Sequence, residues 1–375
     1  MLSFCLSSHA GQAANPMDSV EIGLITCSPH EEIYSLYGHS ALRYHDLRTG
    51  EDRVYNWGIF NFNKPFFVLR FVFGLTDYEL GVFPFDGFCE YYRKWGSSIT
   101  EQVLDLTPEE KENIRQALQD NLRPENKIYR YNFFYDNCST RPRDIIERNL
   151  NRKIHYPGLQ DNTETFRHLV GVCTRNHPWA TFGNDILLGV KADKPLISRE
   201  KEFLPEELML HIQGAQTYGF GEYAPLVKEV RMIVPPGVQR IEEDFPLSPY
   251  TCAIILLTIT VLIFCWEWWH KQVIRAWDIL LMLFQGLAGI VLVLMIFSQH
   301  PTVSVNFQIL ILNPLPLFFL ITVAKGKHSL YWKVLPFLIL LFLIGGFWQH
   351  YADGMYLLAL SLLLRDIIHL RYDKK

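Results

Sequence analysis

Apolar residues follow two different patterns along this chain. From residue 249 onward they gather into five long runs, at 249–266, 277–297, 303–324, 330–348 and 352–370. The first four approach or exceed the ~18–20 apolar residues that carry a helix across a ~30 Å hydrocarbon core. The fifth is interrupted by Arg365 and Asp366. Its place after four strong neighbours nonetheless predicts a fifth span.

Ahead of residue 245 the apolar positions alternate, or recur at helical spacing, in short segments. Residues 20–26 alternate as a strand. Residues 41–46 and 54–60 flank the turn Thr49-Gly50-Glu51-Asp52 and predict a hairpin with His39 at its entrance. Residues 99–106 read as a further strand. Thr107-Pro108-Glu109-Glu110 then opens an amphipathic helix to about residue 121, with Thr107 as N-cap, Pro108 at the first helical position and Glu110 closing a capping box. Residues 129–134 predict a strand or extended run that ends in Tyr135-Asp136-Asn137-Cys138-Ser139-Thr140-Arg141, before a helix to about residue 150. Helices are expected over 163–170 and 205–212, an extended loop over 183–196 and a last strand over 227–234. Residues 62–92 are dense in phenylalanine and tyrosine, which suits a core, a lid or a membrane-contacting groove. The expected organisation is a residual signal region at 1–16, an α+β head over 17–240 and an all-α membrane domain over 241–375.

Charge divides the chain at the same place. Residues 1–245 hold 26 Lys/Arg and 34 Asp/Glu, a net of −8, and residues 246–375 hold 9 and 5, a net of +4. An acidic head without a basic stripe argues against a nucleic-acid partner, because neutralising phosphates needs clustered positive charge. With five spans, all nine positive residues of the membrane domain fall on one side: Lys271 and Arg275, Lys325, Lys327 and Lys333, then Arg365, Arg371, Lys374 and Lys375. That distribution places the C-terminus in the cytoplasm and the head outside it. A translocated head needs an export signal, for which residues 1–16 offer a short apolar start and an Ala-rich stretch without a positive n-region.

The seven cysteines include no CxxC pair, and an odd number leaves at least one unpaired. His168, His177 and Cys173 are scattered rather than set at ligand spacing, so no metal or other cofactor is expected. Cys138 is the sharpest chemical candidate. A cysteine at a strand-to-helix junction meets backbone N–H groups that favour its thiolate, although a lone cysteine is most often a small buried hydrophobe. A thiol nucleophile also needs a base and a group that orients it. His39, in Tyr37-Gly38-His39-Ser40, is the candidate base. Asn56 on the next strand is the candidate orienter, with His45 as a weaker choice. Asp136, Arg141 and Asp144 read as salt-bridged scaffold. In the membrane domain Gln285, Asn306, Gln308 and Asn313 suit either a lipid-access groove or interhelical hydrogen bonds.

The order of histidine on a strand, polar residue on the next strand and Asn-Cys before a helix resembles the circularly permuted papain-like thiol enzymes, including the lecithin:retinol acyltransferase type. Tyr-Gly-His-Ser-Ala-Leu-Arg (37–43), Tyr-Asn-Trp-Gly (55–58) and Phe-Phe-Tyr-Asp-Asn-Cys-Ser-Thr-Arg-Pro-Arg-Asp (133–144) resemble more closely the Lnb-type lipoprotein N-acyltransferases. Gly-Asn-Asp-Ile-Leu-Leu-Gly (183–189), Phe-Leu-Pro (203–205) and the five apolar runs fit the same family.

The resemblance implies an α+β, circularly permuted papain-like extracytoplasmic domain followed by an all-α five-helix transmembrane domain in a bacterial inner membrane. It implies acyl transfer from a phospholipid through a Cys138 thioester to the α-amine of a lipoprotein's lipidated N-terminal cysteine. His39 would be the base, Asn56 its orienter, and the Cys138 N–H part of an oxyanion hole. A thiol hydrolase of the same fold, and a non-enzymatic envelope protein, are the competing readings.

Overall fold

The computed structural model describes residues 15–60, 65–158, 164–219, 221–239 and 245–372. Most of the expected signal region, and Lys374 and Lys375, lie outside the described residues.

The head is built on a seven-stranded antiparallel sheet. Its strands are β1 (Val20–Cys27), β2 (His39–Asp46), β3 (Glu51–Ile59), β4 (Asp77–Pro84), β5 (Ile99–Leu104), β6 (Ile128–Arg130) and β10 (Val227–Val234), in the order β10-β5-β1-β2-β3-β4-β6. Alternation along the strands sends side chains to two faces. Ile22, Leu24, Leu42, Tyr44, Tyr55 and Trp57 face one way, onto Ile114, Leu118, Ile146, Leu208 and Ile212. These come from α3 (Pro108–Asn121), α5 (Thr140–Arg148) and α9 (Pro205–Gly214). Ile25, Cys27, Ala41 and Val54 face the other way, onto Phe85, Phe88, Cys89 and Tyr92 of α2 (Phe85–Lys94). The capping box of α3 forms as expected: Glu110 N donates to Thr107 Oγ1 at 3.2 Å and Thr107 N to Glu110 Oε2 at 2.9 Å.

Around this frame lie the short helices α1 (Phe67–Val72), α4 (Pro124–Lys127) and α8 (Ser198–Lys201), with α6 (Phe166–Thr174) and α7 (Pro178–Leu187). A second sheet, β7-β8-β9, joins Lys153–His155, Gln216–Gly219 and Glu222–Pro225. Two expectations are corrected here. Residues 183–196 are not an extended loop, because α7 starts at Pro178 and runs through the first five of them. Residues 129–134 pair as a strand only over Ile128–Arg130, since Asn132 then bonds Asp136 in both directions at 3.0 Å and folds the chain back.

The aromatic segment divides its labour. Tyr78, Phe85 and Phe88 are buried, whereas Phe66 and Phe71 stand exposed. Phe66 caps α1 and Phe71 lies within it, and this helix meets the chain near residue 300: Gln299 N donates to Phe73 O and His300 Nε2 to Phe71 O, both at 3.0 Å.

The membrane domain contains α10 (Pro249–His270), α11 (Arg275–Ile296), the short α12 (Leu320–Ala324), α13 (Tyr331–Gly345) and α14 (Met355–Tyr372). The 22-residue α10 and α11 each reach about 33 Å at 1.5 Å per residue, enough to cross. The third apolar run, expected as one helix, is broken. It is made of 3-10 turns over Phe307–Leu310 and Leu315–Phe319 and then α12. Pro314 and Pro316 remove N–H donors from its middle. Irregular backbone at this depth is tolerated only inside protein. Gly289 supplies that enclosure, for a Cβ there would sit 2.2 Å from the backbone of Asn313. Gln285 Nε2 adds a donor at 2.6 Å to Ile311 O, and Tyr331 OH donates to Gln285 Oε1 at 2.6 Å. Gln285 is therefore an interhelical tie rather than part of a lipid groove.

Arg365 also departs from expectation. It is fully buried, with Nε donating to Asp278 Oδ1 at 2.7 Å and both terminal nitrogens on Glu267. It therefore knits α10, α11 and α14 rather than adding charge to a surface. Arg275 abuts Gly326, and the Arg371 guanidinium lies 3.8 Å over the Trp268 ring.

Candidate active site

Cys138 sits in the turn that leads into α5, and the shape of that turn comes from Asn137. The Asn137 side-chain carbonyl accepts from Ser139 N at 2.9 Å and Thr140 N at 3.0 Å. Its amide donates to Phe133 O and Phe203 O, both at 2.8 Å. The N-cap is Ser139, so Cys138 stands one residue before the cap rather than on it. Because Asn137 already occupies the first N–H groups of the helix, the helix terminus is not what favours the Cys138 thiolate.

That role falls to the strand opposite. His39, at the first position of β2, draws the Cys138 thiol down, with help from the Ser40 N–H and the Ser139 side chain. Burial opposes a charge on Cys138, yet the His39 imidazolium and these donors outweigh it, and the thiol is pulled below its ordinary range. The reciprocal holds for His39. Burial works against its charge, and the thiolate and Asn56 together raise it. Each group's charged form therefore favours the charged form of the other. His39 Nε2 lies 2.6 Å from Asn56 Oδ1 and donates to it, so the nitrogen left for sulfur is Nδ1. Ser40 Oγ and Ser139 Oγ, 3.2 Å apart, add a second tie between the two limbs.

Gly58 covers the pair. It lies at a register shift between β3 and β4 with φ +106°, a conformation that essentially only glycine holds without strain. A Cβ placed there would be 3.8 Å from both Cys138 Cβ and His39 Cε1.

The structure thus brings together the three residues singled out by sequence: Cys138, His39 and Asn56. It does not bring His45, which stands six positions further along β2, about 20 Å away at 3.3 Å per residue, beside Arg43. Asp136 and Arg141 form a two-bond ion pair at 2.6 and 2.8 Å, and the Arg141 guanidinium rests 3.6 Å over the Tyr129 ring. Asp144 binds Arg143 and Arg148. All three are scaffold. Sequence reasoning missed the structural part of Asn137 and Gly58, although Asn before Cys and Gly after Asn56-Trp57 were both in view.

A cavity of about 530 Å³ opens along this site. His39 and Asn56 stand in its wall with Tyr34, Phe60, Phe83, Phe88, Tyr91 and Tyr92, which makes it an aromatic trough. Tyr92 stacks against His39 with centroids 6.4 Å apart. A second cavity, of about 600 Å³, shares Ser28, His30 and Gly38 with it and is lined by Cys173, Arg175, His177 and Glu206 among others.

Comparison with family models matches residues 7–171 to the Lnb N-terminal periplasmic domain and residues 240–375 to the Lnb transmembrane domain. The chain belongs to the Lnb family. Membership joins an α+β periplasmic head to a helical inner-membrane domain, and it points to a lipoprotein-processing membrane enzyme. No curated protein and no solved structure matches the chain.

Proposed function

We propose that this Lnb-family chain is a cysteine-dependent lipoprotein N-acyltransferase with a permuted papain-like head, in which Cys138 is the nucleophile, His39 the base and Asn56 its orienter. One observation carries the reading: a thiol drawn below its ordinary range by an imidazole, whose far nitrogen an asparagine holds at 2.6 Å, beside an aromatic trough.

The thiolate attacks the carbonyl carbon of a phospholipid ester. The C–O bond breaks, His39 delivers its proton to the departing alcohol, and a thioester and a lysophospholipid result. The α-amine of a lipoprotein's diacylglyceryl cysteine then attacks the thioester, His39 takes its proton, and the amide forms as the thiolate leaves. During each attack the carbonyl oxygen gains charge. The Cys138 N–H, which Asn137 leaves unoccupied, is the proposed donor to it.

The aromatic trough suits an acyl chain better than a hydrated peptide. The two cavities, which share Ser28, His30 and Gly38 in their walls, give room for a donor and an acceptor. Five crossings would put Lys271, Arg275, Lys325, Lys327, Lys333 and Arg371 on one side, which favours a cytoplasmic C-terminus and a site at the periplasmic leaflet.

The test is expression in a bacterium deprived of its own lipoprotein N-acylation, with mass spectrometry of lipoprotein N-terminal peptides. Acylated amines are expected. Amines left free beside a well-expressed protein sink the proposal. A Cys138→Ala protein that still acylates would leave the function standing and remove the mechanism.

A further inference from the structure

The last turn of α7 rests on the membrane domain. Gln308 Nε2 donates to Asp185 O at 2.8 Å and Asn306 Nδ2 to Ile186 O at 2.7 Å. The contact continues along the chain, where Gly189 N donates to Thr302 O and Val190 N to Val305 O, each at 2.8 Å. Gln349 Nε2 reaches Leu188 O at 3.1 Å. Phe182, Ile186 and Leu187 pack on the apolar core of the bundle. Gln308 and Gln349 are almost wholly buried, so these amides have no water to fall back on. Asn306 and Gln308, which the sequence offers for a lipid groove, instead grip the head.

Asn184 belongs to the same turn and faces the opposite way. Its Nδ2 donates to Tyr37 OH at 2.9 Å. Tyr37 is two residues from His39, across Gly38, whose φ of +74° and 2.8 Å approach to Cys27 O (measured from a Cβ placed there) leave the chain little freedom. The Tyr37 ring also meets Phe133 edge-on, with centroids 4.9 Å apart, and Phe133 O is the acceptor that Asn137 uses to shape the Cys138 turn. Tyr37 therefore touches both limbs of the pair, the His39 strand through the backbone and the Cys138 turn through Phe133. Burial pushes its hydroxyl up, so it stays a neutral hydrogen-bonding group.

We infer that Asn184 is a positioning residue through which the seating of the head on the membrane domain sets the alignment of His39 with Cys138. The bundle holds α7, α7 holds Tyr37, and Tyr37 holds the two limbs in register. The site is assembled fully only in the docked protein. This inference rests on the reading of Cys138 and His39 as a working pair, and it is independent of what the thiolate attacks.

The experiment uses the full chain in phospholipid nanodiscs. Alkylation of Cys138 by iodoacetamide is followed against pH by mass spectrometry of the Cys138 peptide, and thermal midpoints are recorded beside it. Asn184→Ala and Tyr37→Phe remove the link, and Tyr37→Phe keeps the ring on Phe133. Asn184→Asp restores a partner, because its carboxylate accepts from the Tyr37 hydroxyl. Both breaking variants are expected to move the alkylation midpoint up by about one pH unit, as the imidazolium loosens from the thiolate. Asn184→Asp should return it toward the parent. An unchanged midpoint in both breaking variants overturns the inference, whether or not thermal stability falls. Alkylation reports the pair alone, so loss of the acyltransferase reading would leave this result intact.

Discussion

His39 Nε2 and Asn56 Oδ1 meet at 2.6 Å across the β2–β3 pair, and this contact decides which face of the imidazole the Cys138 sulfur sees. With Nε2 committed to Asn56, Nδ1 is turned to the thiol. A charge on the ring is then stabilised from both sides, by an amide oxygen and by a thiolate.

The pair has a pH signature. The His39 imidazolium draws Cys138 below its ordinary range, and the thiolate and Asn56 raise His39 above its own, so each charge stabilises the other. Alkylation of Cys138 should begin well below the pH at which a free thiol reacts. His39→Ala removes the imidazolium and leaves burial opposed by the Ser40 N–H and the Ser139 side chain alone, so the alkylation midpoint should rise. A midpoint that fails to move upward would contradict the pairing.

Asn56→Ala should leave the thiol present but the ring free to turn. Loss of a positioned base costs on the order of 10²–10⁴ in rate. His39→Ala is expected within that range and Asn56→Ala toward its lower end. Single-turnover formation of the acyl-enzyme from a phospholipid measures both, and equal, undiminished rates would count against the assignment.

Gly58→Ala tests the cover over the site. A side chain at φ +106° costs about 1–3 kcal/mol, and its Cβ would stand in van der Waals contact with Cys138 and His39 over the site. Reduced thermal stability with a larger loss of acyl-enzyme formation is expected. Full activity would show that the acyl carbonyl approaches from another side.

Arg167 is the buried lock behind α7. It bonds Asp185 Oδ1 at 3.0 Å, Asp193 Oδ1 at 2.8 Å and Leu188 O at 2.8 Å. Arg167→Met leaves two carboxylates without their counter-charge, a loss of roughly 3–5 kcal/mol for a buried pair. Limited proteolysis in nanodiscs should then cut the chain near residues 185–193 faster than in the parent, and unchanged protection would refute the role.

Arg365→Leu should be at least as damaging in the bundle, since Glu267 would lose its cationic partner and Asp278 would be left with His369 Nε2, again at roughly 3–5 kcal/mol. Replacing all three charges with apolar residues should recover most of the loss in thermal stability measured in detergent. Failure to recover would mean that the network sets helix register rather than balancing charge.

Much of the site is legible in the residues themselves. A histidine after Tyr-Gly, an Asn on the following strand and Asn-Cys before a helix carry the three central residues, because each depends on a local turn or strand pattern. Less legible are contacts made across the fold. The helix α7 begins with Pro178 but includes Gly183, Asn184 and Asp185, all weak helix formers, and it forms because its last turn packs on the bundle. The three- and four-residue strands β7, β8 and β9 are too short to show a period. The break in the third apolar run is visible at Asn313-Pro314-Leu315-Pro316, yet a hydropathy count does not register missing N–H donors.

The two-part architecture, most strands of the sheet apart from β4, and the residue types of the candidate site are all written in the chain. They follow from apolar run length, from alternation and from residue type, which act over a few neighbours. Folding was needed to show that Cys138 owes its lowered thiol to His39 and Ser40 rather than to the helix behind it, because Asn137 occupies the helix's first donors. Folding likewise turns Asn306 and Gln308 toward the head rather than a lipid, and makes Arg365 a tie inside the bundle rather than a charge beneath it. In each case the partner lies far away in sequence, and a polar group's role is settled by the partner that burial forces on it.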